Sequence, residues 1–252
     1  MKWLLKPIQI IYCIYAILLF VAFMLLAFPA VIIASFFGPV RGGNAIYRIC
    51  RIWGALWFPM VGIFHRNIFE SPHNREKPYI FVSNHISYLD AAILVKTYKQ
   101  HIRPLGKEEM SKIPIFGFIY RNAIVTVDRA DAEDRARSVT RLKSFLHQGI
   151  SILIFPEGTF NYTHQPLKSF FDGAFRIAIE TQTAIKPVLF LDAYDRMHYR
   201  HLFTLMPGKS RSVYLEEIQV NGLTLADIPA LKEKVYNIMD EKLRAYGASW
   251  IR

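Results

Sequence analysis

Between Lys6 and Arg41 the chain carries no charged side chain, and Ile8 to Phe37 is almost wholly apolar or aromatic. A stretch of that kind must leave water, either for a bilayer or for the protein's own interior. As one straight helix it would measure about 45 Å, against about 30 Å for the hydrocarbon core of a membrane, so it is too long for a simple perpendicular span. Pro29 offers a break inside it. Basic residues flank both ends, with Lys2 and Lys6 before it and Arg41, Arg48 and Arg51 after it. Under the positive-inside rule this suits a re-entrant helical hairpin with both ends cytoplasmic, and a tilted single span is the alternative. The apolar region far exceeds the roughly 7 to 15 residues of a cleaved signal's hydrophobic core. A second apolar segment, Ile52 to Phe64 with Trp53, Trp57 and Phe58, is too short to span and reads as interfacial or as core.

About 200 residues follow the anchor, enough for one α/β domain. β-Prone runs at 79–83, 102–105, 124–127, 151–155, 185–191 and 212–220 alternate with helical patterns for much of this length. The fold class this implies is α/β: a single mixed, largely parallel sheet flanked by helices, behind an N-terminal helical membrane module. In the helix expected over Ala132–His147, Ala136, Val139, Leu142, Phe145 and Leu146 share a face, while Arg137 and Arg141 lie on another, solvated or turned toward headgroups. A tail helix over Thr224–Tyr246 carries Leu225, Ile228, Leu231, Val235, Ile238, Met239 and Leu243 at core spacing. The one boundary falls near Pro72-His73-Asn74, dividing a membrane-anchoring module, residues 1–70, from an α/β domain, residues 71–252.

The chemistry concentrates in Asn84-His85-Ile86-Ser87-Tyr88-Leu89-Asp90. Tyr79 to Ser83 reads as a short buried strand, and a helix is expected from near Ser87 with Ala91 to Val95 on its apolar face. His85 then sits just ahead of that helix, where Asp90, about one turn further on, can fold back and accept the imidazole Nδ1 proton. Nε2 stays free to take a proton from a hydroxyl, and the carboxylate fixes the tautomer and stabilises the imidazolium. Ser87 is a candidate nucleophile, but there is no GxSxG elbow and no suitably placed cysteine. The pattern favours direct attack by an external hydroxyl on an already activated acyl group, although a lone His and Asp at this spacing also arise by chance.

Further along stand Phe155-Pro156-Glu157-Gly158-Thr159 and Ile185-Lys186-Pro187-Val188, with Lys107-Glu108-Glu109, Pro114, Gly117 and Val127-Asp128-Arg129 between them and the His85 segment. In this order the blocks resemble the glycerolipid (lysophospholipid) acyltransferase family, whose bacterial members make phosphatidic acid from lysophosphatidic acid. The likeness covers roughly Tyr79 to Leu191. It implies a membrane-bound O-acyltransferase that moves a fatty acyl group from acyl carrier protein or coenzyme A, with no separate cofactor, to the free hydroxyl of a lysophospholipid. The acceptor it points to first is 1-acylglycerol-3-phosphate, and the place is the cytoplasmic membrane with the catalytic domain on the cytoplasmic side. His85 and Asp90 are the catalytic pair by this resemblance, and Asn84, Lys107, Arg129, Glu157, Gly158, Thr159 and Lys168 are the substrate-binding set.

Taken alone, these residues leave choices open. Arg129, at a strand end, can fork a phosphate or pair with Asp131 or Asp134 on the surface. Glu157 is a buried-edge carboxylate in a turn at a strand's C-terminal end, and Gly158 allows close backbone approach. A backbone or side-chain donor near Asn84 or Gly158 would stabilise the oxyanion. Lys168 is a phosphate ligand or a solvated lysine. Phosphatidic-acid-forming members commonly carry Arg or Ser directly after the EGT, whereas here Phe160 and Asn161 follow. A phenyl ring cannot hold an anion, so a hydroxylated acyl-amino-acid lipid is the alternative acceptor. A non-catalytic lipid-binding membrane protein is the reading from another class, and such a protein has no need of a general base.

The net charge of +11 would fit nucleic acid as well as an anionic membrane surface. The anchor decides for the membrane, since zinc-finger spacing, RNP-like strands and basic repeats are lacking. Cys13 and Cys50 imply no disulfide framework, and His198 and His201 have no third ligand at a suitable spacing, so no metal is expected.

Overall fold

The computed structural model describes residues 2–251, with side chains from Lys6 to Ile251. The uncharged run forms one helix, α1 (Lys2–Ser35), which continues through both Pro7 and Pro29. Pro29 is therefore not the break expected of it. The chain reverses instead in a π-helical turn at Gly38–Gly42, entered at Gly38 with a φ of 77°, and returns as α2 (Gly43–Met60). The two helices are antiparallel: the Tyr12 hydroxyl donates to the Val61 carbonyl at 2.6 Å, Trp57 Nε1 donates to the Ala16 carbonyl at 2.9 Å, and Phe20 packs between Trp53 and Trp57.

The uncharged run is thus one helix and not itself a hairpin; the hairpin it makes with α2 has two faces that differ. Cys13, Ala16, Met24, Val31 and Ala34 are buried along α1, while Ile11, Leu18, Leu26 and Ile33 stay exposed. The segment Ile52 to Phe64 splits the same way, with Trp53, Trp57 and Phe58 in the core and Ile52, Leu56, Met60 and Phe64 outside.

Seven strands follow: β1 (Ile63–Phe69), β2 (Ile80–Ser83), β3 (Ile102–Lys107), β4 (Val125–Val127), β5 (Ser151–Ile154), β6 (Ile185–Phe190) and β7 (Gly208–Tyr214). They form one sheet in the order β1-β7-β6-β2-β5-β3-β4. All neighbours are parallel except β6 and β7. The central strands β2, β5 and β6 are buried from end to end, as apolar runs covered on both faces should be. The helices are α3 (Asp90–Thr97), α4 (Phe116–Ala123), α5 (Ala132–His147), α6 (Gly173–Thr181), the single turn α7 (Ala193–Arg196) and α8 (Ile228–Ala245).

Two expectations need correction. β1 belongs to the sheet, pairing with β7 over its whole length, so a boundary after residue 70 cuts the α/β unit. The helix expected from Ser87 starts at Asp90, because the amides of Ile86 and Ser87 turn in to the Asp90 carboxylate and cannot open a helix. The hairpin is also tied to the sheet. Arg103 on β3 is 1% exposed and donates to the carbonyls of Pro39 and Val40 and to Asn44 Oδ1, which fixes the hairpin's tip against the edge of the domain.

Candidate active site

Parallel strands align their C-terminal ends along one rim, where the following loops can converge. Four of them deliver the residues singled out above. His85 follows β2, Glu157 and Gly158 follow β5, Lys107 ends β3, and Arg129 follows β4.

His85 is held at three of its four polar groups. Its Nδ1 lies 2.8 Å from Asp90 Oδ2, its backbone N–H donates to Glu157 Oε1 at 2.9 Å, and its carbonyl accepts the Asn161 N–H at 2.8 Å. Among the described residues Nε2 has no hydrogen-bond partner. The Asp90 side chain is 0% exposed, and Oδ2 also takes the Ile86 and Ser87 amides at 2.8 and 2.9 Å. Three donors on one oxygen hold that carboxylate aimed at Nδ1, which fixes the tautomer with Nε2 as the acceptor nitrogen. The Phe155 ring stacks on the imidazole at 4.3 Å, and the Phe160 ring meets it edge-on at 4.4 Å.

Glu157 does not face the rim. It is 1% exposed, with Oε1 on the His85 amide and Oε2 on the Lys168 amide at 2.9 Å. Burial outweighs these two bonds and pushes its carboxyl up to about 7. The residue clamps two backbone segments together. Asn84 is held in the same way. It is 1% exposed, and its amide donates to the Phe190 carbonyl at 3.0 Å while accepting the Phe190 N–H at 2.8 Å, which continues the β2–β6 ladder one step past Ser83. Ser87 is buried and spends its hydroxyl on the Met197 carbonyl at 2.5 Å, so it is no nucleophile.

Gly158 has a φ of 73°, and a Cβ there would meet the Phe171 ring at 2.7 Å and Arg129 Nη1 at 3.6 Å. Only glycine suits that position. Its N–H closes the turn on the Phe155 carbonyl at 3.0 Å, so it is not a free oxyanion donor. The same contact brings the Arg129 guanidinium beside the Glu157-Gly158 turn. Pairing with Asp131 or Asp134 is not formed: Asp131 caps α5 and faces Arg137, and Asp134 takes the Asp128 amide and Arg137. Lys168 Nζ donates to Thr159 Oγ1 at 2.7 Å, which sets a cation and an exposed hydroxyl on the rim. Lys107 is exposed beside Val127, on β3, which lies beyond β5 from His85. His198 faces the Tyr194 hydroxyl at 3.1 Å, and no cluster of three metal donors occurs among the described residues. Sequence reasoning missed Phe155 and Asn161 as partners of His85. The Phe155 ring was read only as strand, and Asn161 acts through its backbone, which no side chain announces.

A family model described as Acyltransferase matches residues 65–191, beginning inside β1. The 1-acyl-sn-glycerol-3-phosphate acyltransferase alpha of Mus musculus is 30% identical over 168 residues, 65% of this chain and 58% of that protein. The Homo sapiens protein of the same name is 27% identical over 165 residues, with 65% and 58% covered. The matched stretch thus spans somewhat more than half the length of these relatives. The crystal structure of the 1-acyl-sn-glycerophosphate (LPA) acyltransferase, PlsC, from Thermotoga maritima superposes with a TM-score of 0.75 at 20% identity, covering 100% of both chains, a likeness of fold.

Proposed function

Because the chain belongs to the acyltransferase family, we propose that it transfers a fatty acyl group from a thioester, acyl carrier protein or coenzyme A, to the free hydroxyl of a lysophospholipid, with 1-acylglycerol-3-phosphate as the first acceptor. The observation that carries this reading is the open Nε2 of a His85 whose other polar groups are all held. Nε2 takes the acceptor's hydroxyl proton as the oxygen attacks the thioester carbonyl. The tetrahedral intermediate expels the thiolate, which collects the proton from the imidazolium, while buried Asp90 stabilises that cation between the two transfers. The Asn84 amide and the Gly158 N–H are both occupied, so neither is free to serve as the oxyanion donor. Arg129, Lys168 and the more distant Lys107 form the cationic side of the rim where a phosphate would sit.

The hairpin supports a monotopic attachment. The helix long and apolar enough to cross a membrane, Lys6–Ser35, touches the rest of the chain at points from Gln9, against Met206, to Phe28, against Phe118. A perpendicular span would drag α2, α4 and their neighbours into hydrocarbon. Lying in one leaflet with both ends cytoplasmic keeps the polar domain in water.

Phe160 favours a second acceptor, a hydroxylated acyl-amino-acid lipid, because its ring fills the space beside His85 where an anion-binding side chain would stand. Incubating purified protein with both acceptors and one labelled thioester, followed by lipid mass spectrometry, decides between them. Label in the phosphate lipid alone supports the first, and label in the amino-acid lipid alone supports the second. Label in neither overturns the acyltransferase reading.

A further inference from the structure

A file of aromatic rings leads away from His85. Phe160 meets His85 at 4.4 Å and Tyr88 at 4.9 Å between ring centroids, Tyr162 stands 6.3 Å from Phe160, and Tyr199 stands 4.6 Å from Tyr162. Tyr88 and Tyr162 are 48% and 54% exposed, so these rings are not core. Past Tyr199 the chain exposes Phe203 and Met206 and then joins the hairpin. Cys13 Sγ donates to the Leu205 carbonyl, and Gln9 Nε2 lies 3.2 Å from Met206 Sδ. On α1 the exposed residues nearest this junction in sequence, Ile8, Ile10 and Ile14, are apolar.

These rings come from three separate segments, and the turn Leu202–Thr204 that carries Phe203 packs against α1. Exposed apolar surface of this kind marks a place that something apolar covers. Tyrosine suits a covering chain that is itself half wet, since its ring is apolar and its hydroxyl stays in water. Resting on the lipid-acceptor reading above, we infer that the run from Phe160 through Tyr162 and Tyr199 to Phe203 is a docking strip for the hydrocarbon tail of the acyl acceptor. The acceptor is then a single-chain amphiphile that slides from the leaflet along the strip, tail against the rings, until its hydroxyl reaches Nε2. Each methylene moved from water onto the strip favours binding, so the strip selects acceptors by chain length whatever their headgroup.

Two measurements on the full-length chain, bound to vesicles containing phosphatidylglycerol, test the strip. A long-chain lysophospholipid with a diazirine at the tail end is photolysed on the protein and the adducts are mapped by mass spectrometry. Adducts on peptides holding Tyr162, Tyr199 and Phe203 are expected, and adducts confined to α1 and α2 overturn the strip without reference to turnover. Next, kcat/KM is measured for two acceptors of one headgroup, one long-chain and one short and water-soluble. In the double variant Tyr162→Ser, Phe203→Ser the long-to-short ratio is expected to fall about tenfold. An unchanged ratio, including an equal fall for both acceptors, overturns the proposal. If the wild-type chain acylates neither acceptor while adducts still map to the strip, the lipid contact stands and the acyltransferase reading fails by itself.

Discussion

Replacing Asp90 by Asn separates the charge of this residue from its shape. Oδ2 accepts three N–H groups, from His85 Nδ1, Ile86 and Ser87, whereas the buried Oδ1 has no partner. An Asn amide nitrogen at the Oδ2 position would point its protons at three other donors, so the amide oxygen must take that position. The tautomer of His85 therefore survives the substitution, and only the negative charge is lost. Hydrogen bonds to charged groups are worth about 1.5–3 kcal/mol and neutral ones about 0.5–1.5, a difference of roughly 1–2 kcal/mol. The stabilisation of an imidazolium by a carboxylate about 4 Å away, at an effective dielectric of about 20, sets an upper bound of about 4 kcal/mol. Taken as barrier changes, these limits give a loss in kcat/KM of about 5-fold to 1,000-fold. The amide NH₂, at the Oδ1 position, lacks an acceptor and costs about 1–3 kcal/mol, or a fall in Tm of roughly 2–12 °C for a chain of this size. Asp90→Ala removes the acceptor of two buried backbone amides as well and should melt lower still. The assay is steady-state acyl transfer with melting measured by circular dichroism. Wild-type turnover in a folded Asp90→Asn protein would refute the reasoning.

Three further outcomes follow. Arg129→Lys keeps the charge beside Gly158 but loses the fork, and it should raise the KM of a phosphate-bearing acceptor more than that of the thioester; a rise for the thioester alone gives the arginine to the donor. Glu157 is an acid raised to about 7 in the folded chain, so between roughly pH 4.5 and 7 the folded state binds more protons than the unfolded one. Its contribution to stability must therefore fall as pH rises through that window, by on the order of 3 kcal/mol. Glu157→Gln cannot titrate, so the Tm advantage of wild type over this variant should shrink from pH 5 to pH 8, and a constant difference would contradict the assignment. For topology, Lys2→Cys and Arg41→Cys, with Cys13 and Cys50 replaced, should both label from the cytoplasmic side. Gly42 is unsuitable because a Cβ there collides with the Ala34 carbonyl. Labelling of one site only from the far side would leave a span.

The strands most plainly legible in the sequence were those buried on both faces. β2, β5 and β6 read as unbroken apolar runs because helices cover both sides of them. β1 escaped notice because its residues, Ile-Phe-His-Arg-Asn-Ile-Phe, lie at the sheet edge with one partner and alternate irregularly between buried and exposed. Pro29 misled because an apolar helix packed on a neighbour tolerates a proline that an isolated one would not. The pairing of His85 with Asp90 was readable from spacing. The work of Glu157 and Asn84 was not, since their partners are backbone atoms of Lys168 and Phe190, 11 and 106 residues away, and nothing in the type of those residues marks the contact.

The central claim is that Nε2 of His85 is the base, and the direct measurement is turnover by His85→Ala. Its Tm should stay close to that of wild type, because the held backbone groups of residue 85 do not depend on the ring. Product formed from the acceptor and labelled thioester, quantified by lipid mass spectrometry, should fall by at least about 100-fold. A folded His85→Ala protein that acylates the acceptor within about threefold of the wild-type rate, far short of a general base's contribution, would contradict the account.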